Sequence, residues 1–215
     1  NPLVDDIAER RNTLPTREEF LREHNLDNRP IVALLAGSRV SEIKANLPDM
    51  VALSRLFPKY QFIVTAVKWI ERSHYDRYIG DSDVKYICDR TQQILAHSTA
   101  AIVTSGTATL ETALMGIPEV VMYHVPWLYE KLKPYFLRIP YISLVNINLG
   151  REAVRELVCA KLDIDNAERE VRAILPQGSE RERMLRDFDE LRAMIGGEGA
   201  SQRFAEDIVN TLRQR

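Results

Sequence analysis

The sequence lacks the features that mark membrane proteins, metalloproteins and disulfide-rich secreted proteins. It contains no apolar run of about 18 residues, the length that a membrane-spanning helix requires. Only two cysteines occur, Cys88 and Cys159, and without CxxC spacing they predict buried thiols in a reducing compartment. The four histidines are scattered and form no HExxH pattern, so a metal centre is not indicated.

An excess of charge of one sign is also absent. The 215 residues include 29 Lys and Arg against 31 Asp and Glu, which gives a net charge of -2. Because the basic residues are scattered rather than striped, no nucleic acid is expected as a partner. A composition of 45% hydrophobic and 28% charged residues, with no secretory leader pattern, indicates a globular cytoplasmic protein.

Short apolar runs alternate with helical patterns through most of the chain. The candidate strands are Ile31–Ala36, Gln61–Ala66, Val84–Ile87, Ala100–Val103, Val120–Tyr123 and Tyr141–Leu144. A capping box at Thr16–Glu19 starts an early helix, and the later helical patterns are Leu47–Phe57, Ile70–Ile79, Gln92–His97, Ala108–Met115 and Trp127–Leu137. This alternation predicts an α/β fold with a doubly wound, mostly parallel, six-stranded Rossmann-like sheet.

After Asn148 the patterns are helical only. The candidates are Arg151–Val158, Ala167–Leu175, Glu180–Met194 and Ser201–Leu212. We therefore expect a Rossmann-like domain over residues 1–160 and a helical tail over residues 161–215. The tail packs on that domain or on a neighbouring one.

One aromatic and basic stretch, Trp127–Tyr141, allows two interpretations. Its mixture of aromatic and basic residues is typical of a helix lying at a membrane surface. Equally, such residues occur on a helix packed in the fold with long basic side chains at its edge, and Pro134 interrupts a continuous amphipathic face. The packed helix is favoured, and a peripheral membrane contact stays open.

The predicted sheet brings two small polar loops together. In a doubly wound sheet, ligands bind at the carboxyl ends of the adjacent first and fourth strands. The residues that follow these strands are Gly37, Ser38 and Arg39, and Ser105, Gly106 and Thr107. Each loop offers a glycine, a hydroxyl and amides at a helix N-terminus, and Arg39 adds a guanidinium. Either loop alone is ordinary helix capping, but the pair predicts a phosphate or diphosphate site.

The familiar phosphate-binding signatures are missing. The chain has no P-loop of the form GxxxxGKS/T, and it has no GxGxxG fingerprint. The second absence weakens the hypothesis of a nicotinamide oxidoreductase.

Glu111 lies one helical turn after Thr107, near the mouth of the expected crevice. A carboxylate there would suit the two hydroxyls of a ribose. An acid that interacts with the helix dipole is the equally supported alternative.

The segment Tyr141–Leu157 follows the predicted sixth strand. Asn146 lies in its loop, and Arg151 and Glu152 open the predicted helix. An arginine at a helix start opposes the helix dipole, which suggests a second anion contact, although Asn and Glu are ordinary in such places.

Four stretches in order, "NPLVD", "LLAGSR", "SGTATLE" and "PYISLVNINLGRE", resemble the lipid-A-disaccharide synthase family. These are inverting glycosyltransferases of the two-domain GT-B architecture. The resemblance runs from Asn1 to about Leu157 and corresponds to the carboxyl-terminal, donor-binding half. Two positions depart from the family pattern: Ala36 stands where proline is usual, and Cys159 stands where glutamine is frequent.

The resemblance implies a role for each candidate residue. Contacts to the donor phosphates fall to Gly37, Ser38 and Arg39, and the helix N-terminus that holds the diphosphate to Ser105, Gly106 and Thr107. Glu111 would hold the ribose, and Asn146, Arg151 and Glu152 would complete the site.

The resemblance also implies a reaction. The family transfers a 2,3-diacylglucosamine unit from UDP to 2,3-diacylglucosamine 1-phosphate in lipid A biosynthesis. The catalytic base and the lipid acceptor belong to the amino-terminal half, so no catalytic residue, metal or cofactor is assigned to this chain. A homodimer and contact with the inner face of the inner membrane are left open. The rival functions are another UDP-sugar enzyme of the fold, an epimerase or a peptidoglycan glucosaminyltransferase, and a non-catalytic nucleotide-binding module.

Overall fold

The computed structural model describes residues 2–11, 13–125 and 141–196. The strands are β1 (Ile31–Leu35), β2 (Gln61–Ala66), β3 (Lys85–Cys88), β4 (Ser98–Val103), β5 (Glu119–His124) and β6 (Arg155–Cys159). The helices are α1 (Pro2–Arg11), α2 (Arg17–Glu23), α3 (Val40–Ser54), α4 (Ser73–Ile79), α5 (Thr91–Ala96), α6 (Thr107–Leu114), α7 (Leu144–Leu149), α8 (Ile164–Ile174) and α9 (Arg181–Ile195).

The strands form one parallel sheet in the order β3-β2-β1-β4-β5-β6. Leu34 of β1 is in register with Val64 on one side and Ile102 on the other. The doubly wound, six-stranded fold is therefore confirmed. Because β1 and β4 are adjacent and parallel, their carboxyl ends meet at the same edge, as the sequence predicted.

The centre of the sheet is buried on both faces. Val32 and Leu34 of β1 belong to one apolar cluster, and Ile31, Ala33 and Leu35 belong to the other. Successive side chains of a strand point to opposite faces, so this short, wholly apolar strand contributes to both layers of helices.

The amino-terminal region contains one confirmed helix and one that the patterns missed. Helix α2 begins at the predicted capping box, in which the Thr16 amide donates to Glu19 Oε2 over 2.9 Å. Helix α1 was not predicted, because its apolar residues Leu3, Val4 and Ile7 are few and only partly buried.

The prediction for residues 141–158 was wrong. Tyr141–Leu144 is not a strand; the chain enters α7 there, with the Ser143 hydroxyl accepting from the amide of Asn146. Gly150, at φ 67°, ends this helix, and the sixth strand is Arg155–Cys159, within the segment predicted as a helix. Short apolar runs fit either state, and here the pairing with β5 decides the outcome.

The described part of the predicted tail packs against the sheet. Helices α8 and α9 bury side chains in the same apolar cluster as β5, among them Val171, Phe188 and Leu191. The division at residue 160 stays a prediction. The candidate helices Trp127–Leu137 and Ser201–Leu212 lie outside the described residues.

The two cysteines are placed differently from the prediction. Cys88 and Cys159 end the two edge strands of the sheet and are partly exposed, not buried as predicted; no disulfide joins them. Among the helices of the described ranges, none has the length and apolar character needed to cross a membrane.

Candidate functional site

A cleft of about 320 Å³ lies at the carboxyl ends of β1 and β4. It brings together most of the residues that the sequence singled out, namely Gly37, Ser38, Arg39, Ser105, Gly106, Thr107 and Glu111. Its wall also includes side chains that the sequence did not single out, among them Glu42, Thr65, Thr91 and Thr104.

The loop after β1 folds around a carboxylate. Helix α3 begins at Val40, earlier than predicted, and this brings Glu42 into its first turn. Glu42 Oε2 accepts from the Ser38 amide over 2.8 Å and from the Arg39 amide over 3.3 Å. Gly37 has φ 114°, and a Cβ there would lie 2.5 Å from Glu42. This close approach explains the glycine.

Arg39 stands at the lip of the cleft. Its side chain is 77% exposed, and Nη1 lies 3.0 Å from Glu42 Oε1. An exposed pair of this kind contributes little to stability. The guanidinium can therefore exchange this partner for an anion that enters the cleft.

The loop after β4 is fixed to the end of β1 through Thr104. Its buried hydroxyl donates to the Leu35 carbonyl over 2.6 Å, and its amide donates to the same oxygen over 2.9 Å. Gly106, at φ 130°, then caps α6. Within the described part of the chain, the amides of Thr107 and Ala108 make no hydrogen bond, so they can serve a ligand.

Ser105 behaves differently from the expectation for its side chain. Its hydroxyl donates to the Ile142 carbonyl over 2.9 Å. That proton is committed to the fold, and the hydroxyl can only accept from a ligand. The Thr107 side chain is exposed and is the hydroxyl donor that remains in this loop.

Glu111 is held inside the cleft by a neighbouring amide. Gln92 Nε2 donates to Glu111 Oε1 over 3.1 Å and to Asp6 of α1 over 2.8 Å. Burial raises the pKa of Glu111; the hydrogen bond from Gln92 opposes this shift, and the charge of Asp6 reinforces it. The carboxylate also borders a second cavity of about 340 Å³ next to α1.

Asn146 does not reach the cleft. Its side chain is fully buried, and Nδ2 donates to the Val154 carbonyl and to Glu156 Oε1, each over 2.8 Å. Its Oδ1 accepts from the amides of Ala153 and Val154. The geometry gives this side chain a structural role and does not support the expected donor contact.

Arg151 and Glu152 are likewise outside the cleft. They precede β6, so they lie at the amino edge of the parallel sheet, opposite to the site. No helix begins at Arg151, which pairs instead with Asp187 and Glu190 of α9 at 2.8 and 2.6 Å. Glu152 pairs with Arg155 at 2.9 Å. Arg151 therefore does not stand at a helix start, and the prediction that it does was wrong.

His124, at the carboxyl end of β5, has both ring nitrogens engaged. Nδ1 lies 3.1 Å from Asn46 Oδ1, and Nε2 lies 2.9 Å from Asp49 Oδ2. The Asn46 amide orientation is fixed because its Nδ2 donates to the Glu42 carbonyl. Both ring nitrogens therefore face side chains of α3, and neither is directed at the cleft between β1 and β4.

Comparison with known proteins agrees on one family. The family described as lipid-A-disaccharide synthetase matches residues 1–205. A lipid-A-disaccharide synthase from Anaeromyxobacter dehalogenans strain 2CP-1 is 34% identical over 193 residues, covering 86% of this chain and 50% of the relative. One from Myxococcus xanthus is 35% identical over 189 residues, covering 85% and 49%. The chain thus spans about half the length of the curated relatives it matches.

Solved structures share the fold at low sequence identity. A UDP-GlcNAc 2-epimerase from Neisseria meningitidis bound to UDP-GlcNAc has a TM-score of 0.61 and 13% identity, covering 96% of this chain and 52% of the other. The calicheamicin glycosyltransferase CalG4 has a TM-score of 0.57 and 17% identity, covering 85% and 43%. The architecture is that of one half of a GT-B enzyme.

Proposed function

Because this chain belongs to the lipid-A-disaccharide synthetase family, we propose that its cleft binds the UDP-sugar donor of a glycosyltransferase. The donor is UDP-2,3-diacylglucosamine, and the acceptor is 2,3-diacylglucosamine 1-phosphate. This chain supplies the nucleotide-binding half. A lipid acceptor, contact with the inner face of the inner membrane and a homodimer belong to the same proposal.

The observation that carries the proposal is the convergence of the two loops on one cleft. The loop after β1 contributes the Arg39 guanidinium, and the loop after β4 contributes the amides of Thr107 and Ala108 at the start of α6. Amides at a helix N-terminus and an arginine fork are the groups that favour phosphate oxygens. They would stabilise the negative charge that develops on UDP as it leaves.

Glu111 is the proposed ribose contact. It lines the same cleft, and its hydrogen bond to Gln92 holds one oxygen while the other is left for a hydroxyl donor. A structural neighbour of the same fold, the UDP-GlcNAc 2-epimerase from Neisseria meningitidis, binds UDP-GlcNAc, which supports a uridine nucleotide as the ligand.

The chemical step is proposed to be an inverting transfer. A base removes the proton of the acceptor hydroxyl while that oxygen attacks the anomeric carbon and UDP departs. His124 is engaged by Asn46 and Asp49, and Glu152 lies at the opposite edge of the sheet. We therefore assign the base to the part of the relatives that this chain does not span.

Calorimetric titration with UDP, UMP, ADP and NADH tests the binding proposal. We expect UDP to bind more tightly than the other three ligands. Arg39→Ala should weaken UDP binding by about 1.5–3 kcal/mol, the value of a hydrogen bond to a charged group. The matched control is Arg55→Ala, an exposed arginine at the other end of α3 that pairs with Asp81. Preference for NADH, or equal UDP affinity in both variants, contradicts the proposal.

A separate assay tests whether the catalytic base lies outside this chain. The 215-residue chain is incubated with UDP-2,3-diacylglucosamine and 2,3-diacylglucosamine 1-phosphate, and the disaccharide is measured. We expect binding of UDP without product. Product above the no-enzyme level would contradict the assignment of the base and make His124 the first residue to substitute.

A further inference from the structure

The peptide between Ser38 and Arg39 is held from both sides. On one side, Trp69 Nε1 donates to the Ser38 carbonyl over 3.0 Å, although the indole is 65% exposed. The carbonyl and the N–H of a trans peptide point in opposite directions. Trp69 therefore directs the Arg39 amide to the other side, where Glu42 accepts from it.

The contacts of Glu42 exceed those of ordinary helix capping. In the capping box of α2, the Glu19 carboxylate accepts from the amide and the hydroxyl of Thr16 alone. Glu42 instead makes its shortest bond, 2.8 Å, to the amide of Ser38, which precedes the N-cap residue of α3. It also receives the Arg39 amide and guanidinium. The two amides and the guanidinium therefore form an anion-binding site, and the Glu42 carboxylate occupies it.

We propose that Glu42 is a resident anion in the diphosphate subsite, and that the donor diphosphate displaces it. This inference rests on the proposed function, because it concerns the same loop. A phosphate group and the Glu42 carboxylate would need the same donors of Ser38 and Arg39. Two anions bound to the same donors would also repel each other. Trp69 acts as a positioning residue that keeps the Arg39 amide turned toward the cleft after Glu42 leaves.

Displacement has a consequence for selectivity. Each ligand must replace a carboxylate that is already hydrogen-bonded, so a ligand without a phosphate at this position gains nothing from the loop. A diphosphate carries more charge than a carboxylate and can replace it. Glu42 therefore weakens the binding of anions of low charge more than it weakens the binding of ligands that carry a diphosphate.

The first test compares Glu42→Gln with the unchanged chain in titrations with UDP, inorganic pyrophosphate and uridine. Glutamine keeps the size of the side chain but is a weaker acceptor and carries no charge. We expect UDP and pyrophosphate affinity to rise about fivefold, the difference between a charged and a neutral hydrogen bond, and uridine affinity to stay unchanged. The matched control is Glu19→Gln, which alters the capping box of α2 and should change none of these affinities.

The outcomes separate the two proposals. A fall in UDP and pyrophosphate affinity in Glu42→Gln would overturn displacement and show that Glu42 orients the loop for the ligand; equal affinities would also overturn it. If the unchanged chain binds pyrophosphate but does not prefer UDP, and Glu42→Gln strengthens the pyrophosphate complex, the resident anion stands and the proposed donor fails.

The second test concerns Trp69. Trp69→Phe keeps an aromatic ring and removes the N–H donor, so we expect UDP and pyrophosphate affinity to fall about threefold or more with uridine affinity unchanged. A structural defect of the whole cleft would weaken uridine as well. Equal loss for uridine, or no loss for pyrophosphate, would overturn the positioning role.

Discussion

Asn146 and Glu156 are joined by a partly buried hydrogen bond of 2.8 Å between Nδ2 and Oε1. Glu156 also accepts from the amides of Ile142 and Ser143, each over 2.9 Å. The Ile142 carbonyl accepts from the Ser105 hydroxyl at the cleft, so these bonds connect the loop after β4 to β6. Asn146 and Glu156 therefore hold the segment at Ile142 and Ser143 in place, a role that the sequence did not predict for either side chain.

Asn146→Ala is expected to cost stability and to leave ligand affinity nearly unchanged. The substitution strands two buried amides, a carbonyl and a carboxylate oxygen, so the free energy of unfolding should fall by about 2–4 kcal/mol. Denaturant unfolding measures this loss. Asn148→Ala is the control, since Asn148 lies on the exposed side of the same helix and should cost much less. A selective loss of UDP affinity in the folded protein would restore the sequence-based assignment.

Glu111→Ala should reduce the discrimination between UDP and 2′,3′-dideoxy-UDP. If the carboxylate holds the ribose hydroxyls, the variant loses affinity for UDP but little for the dideoxy analogue. The loss for UDP should be about 1.5–3 kcal/mol, as for a hydrogen bond to a charged group. The ratio of the two affinities, measured by calorimetry, decides the matter. Equal losses for both ligands would leave Glu111 as an acid that only stabilises α6.

Glu119 should make stability depend on pH. Its side chain is fully buried at the start of β5, and within the described residues neither carboxylate oxygen has a hydrogen-bond partner. Burial raises its pKa well above the ordinary value. The protonated form is therefore favoured on folding, and stability is full below the ordinary pKa and falls as pH rises toward the folded-state pKa.

The matching experiment is Glu119→Gln, which keeps the shape and removes the charge. At pH 8 it should unfold with about 2 kcal/mol more free energy than the unchanged chain, and at pH 4 the two should be alike. Urea unfolding at both pH values provides the comparison, with exposed Glu18→Gln as the control. A difference that does not vary with pH would mean that the carboxyl stays neutral throughout or finds another partner.

Arg151→Ala should affect the packing of α9 rather than the ligand. The guanidinium joins Asp187 and Glu190, and these carboxylates raise its pKa, so it stays charged. We expect a lower melting temperature, with the loss smaller in high salt because salt screens exposed pairs. UDP affinity should equal that of Arg186→Ala, a change on the exposed face of α9. Weaker UDP binding in Arg151→Ala alone would contradict this.

The sheet and the two cleft loops could be predicted because their signals are local. Buried strands such as β1 and β2 are short apolar runs bounded by polar turns, and alternation with helices fixes the parallel winding. The position of the loops at the cleft then follows from the strand order. Gly37 and Gly106, which the sequence singled out, have φ values of 114° and 130°, a region that favours glycine.

The remainder depended on contacts between distant residues. Ile142 and Leu157 lie in apolar runs of similar length, and only pairing with β5 makes the second run the strand. Because the sixth strand was predicted before these residues, Arg151 and Glu152 were expected at the carboxyl edge of the sheet. They lie at its amino edge, since β6 follows them. Glu42 was missed because α3 was expected to begin at Leu47, although an acid three positions after Arg39 fits a capping pattern.

The cleft depends on a contact between strands that are far apart in the sequence. Leu35 of β1 pairs with Val103 of β4, although two strands and three helices lie between them in the chain, so the two loops meet only where this long-range pairing has formed. A ligand that contacts both loops, as proposed for the nucleotide, is therefore coupled to the formation of the sheet. At a concentration 100 times its dissociation constant, a ligand of the native state alone adds about 2.7 kcal/mol. Amide hydrogen exchange should slow throughout the sheet, including at β6, and not only around the bound nucleotide.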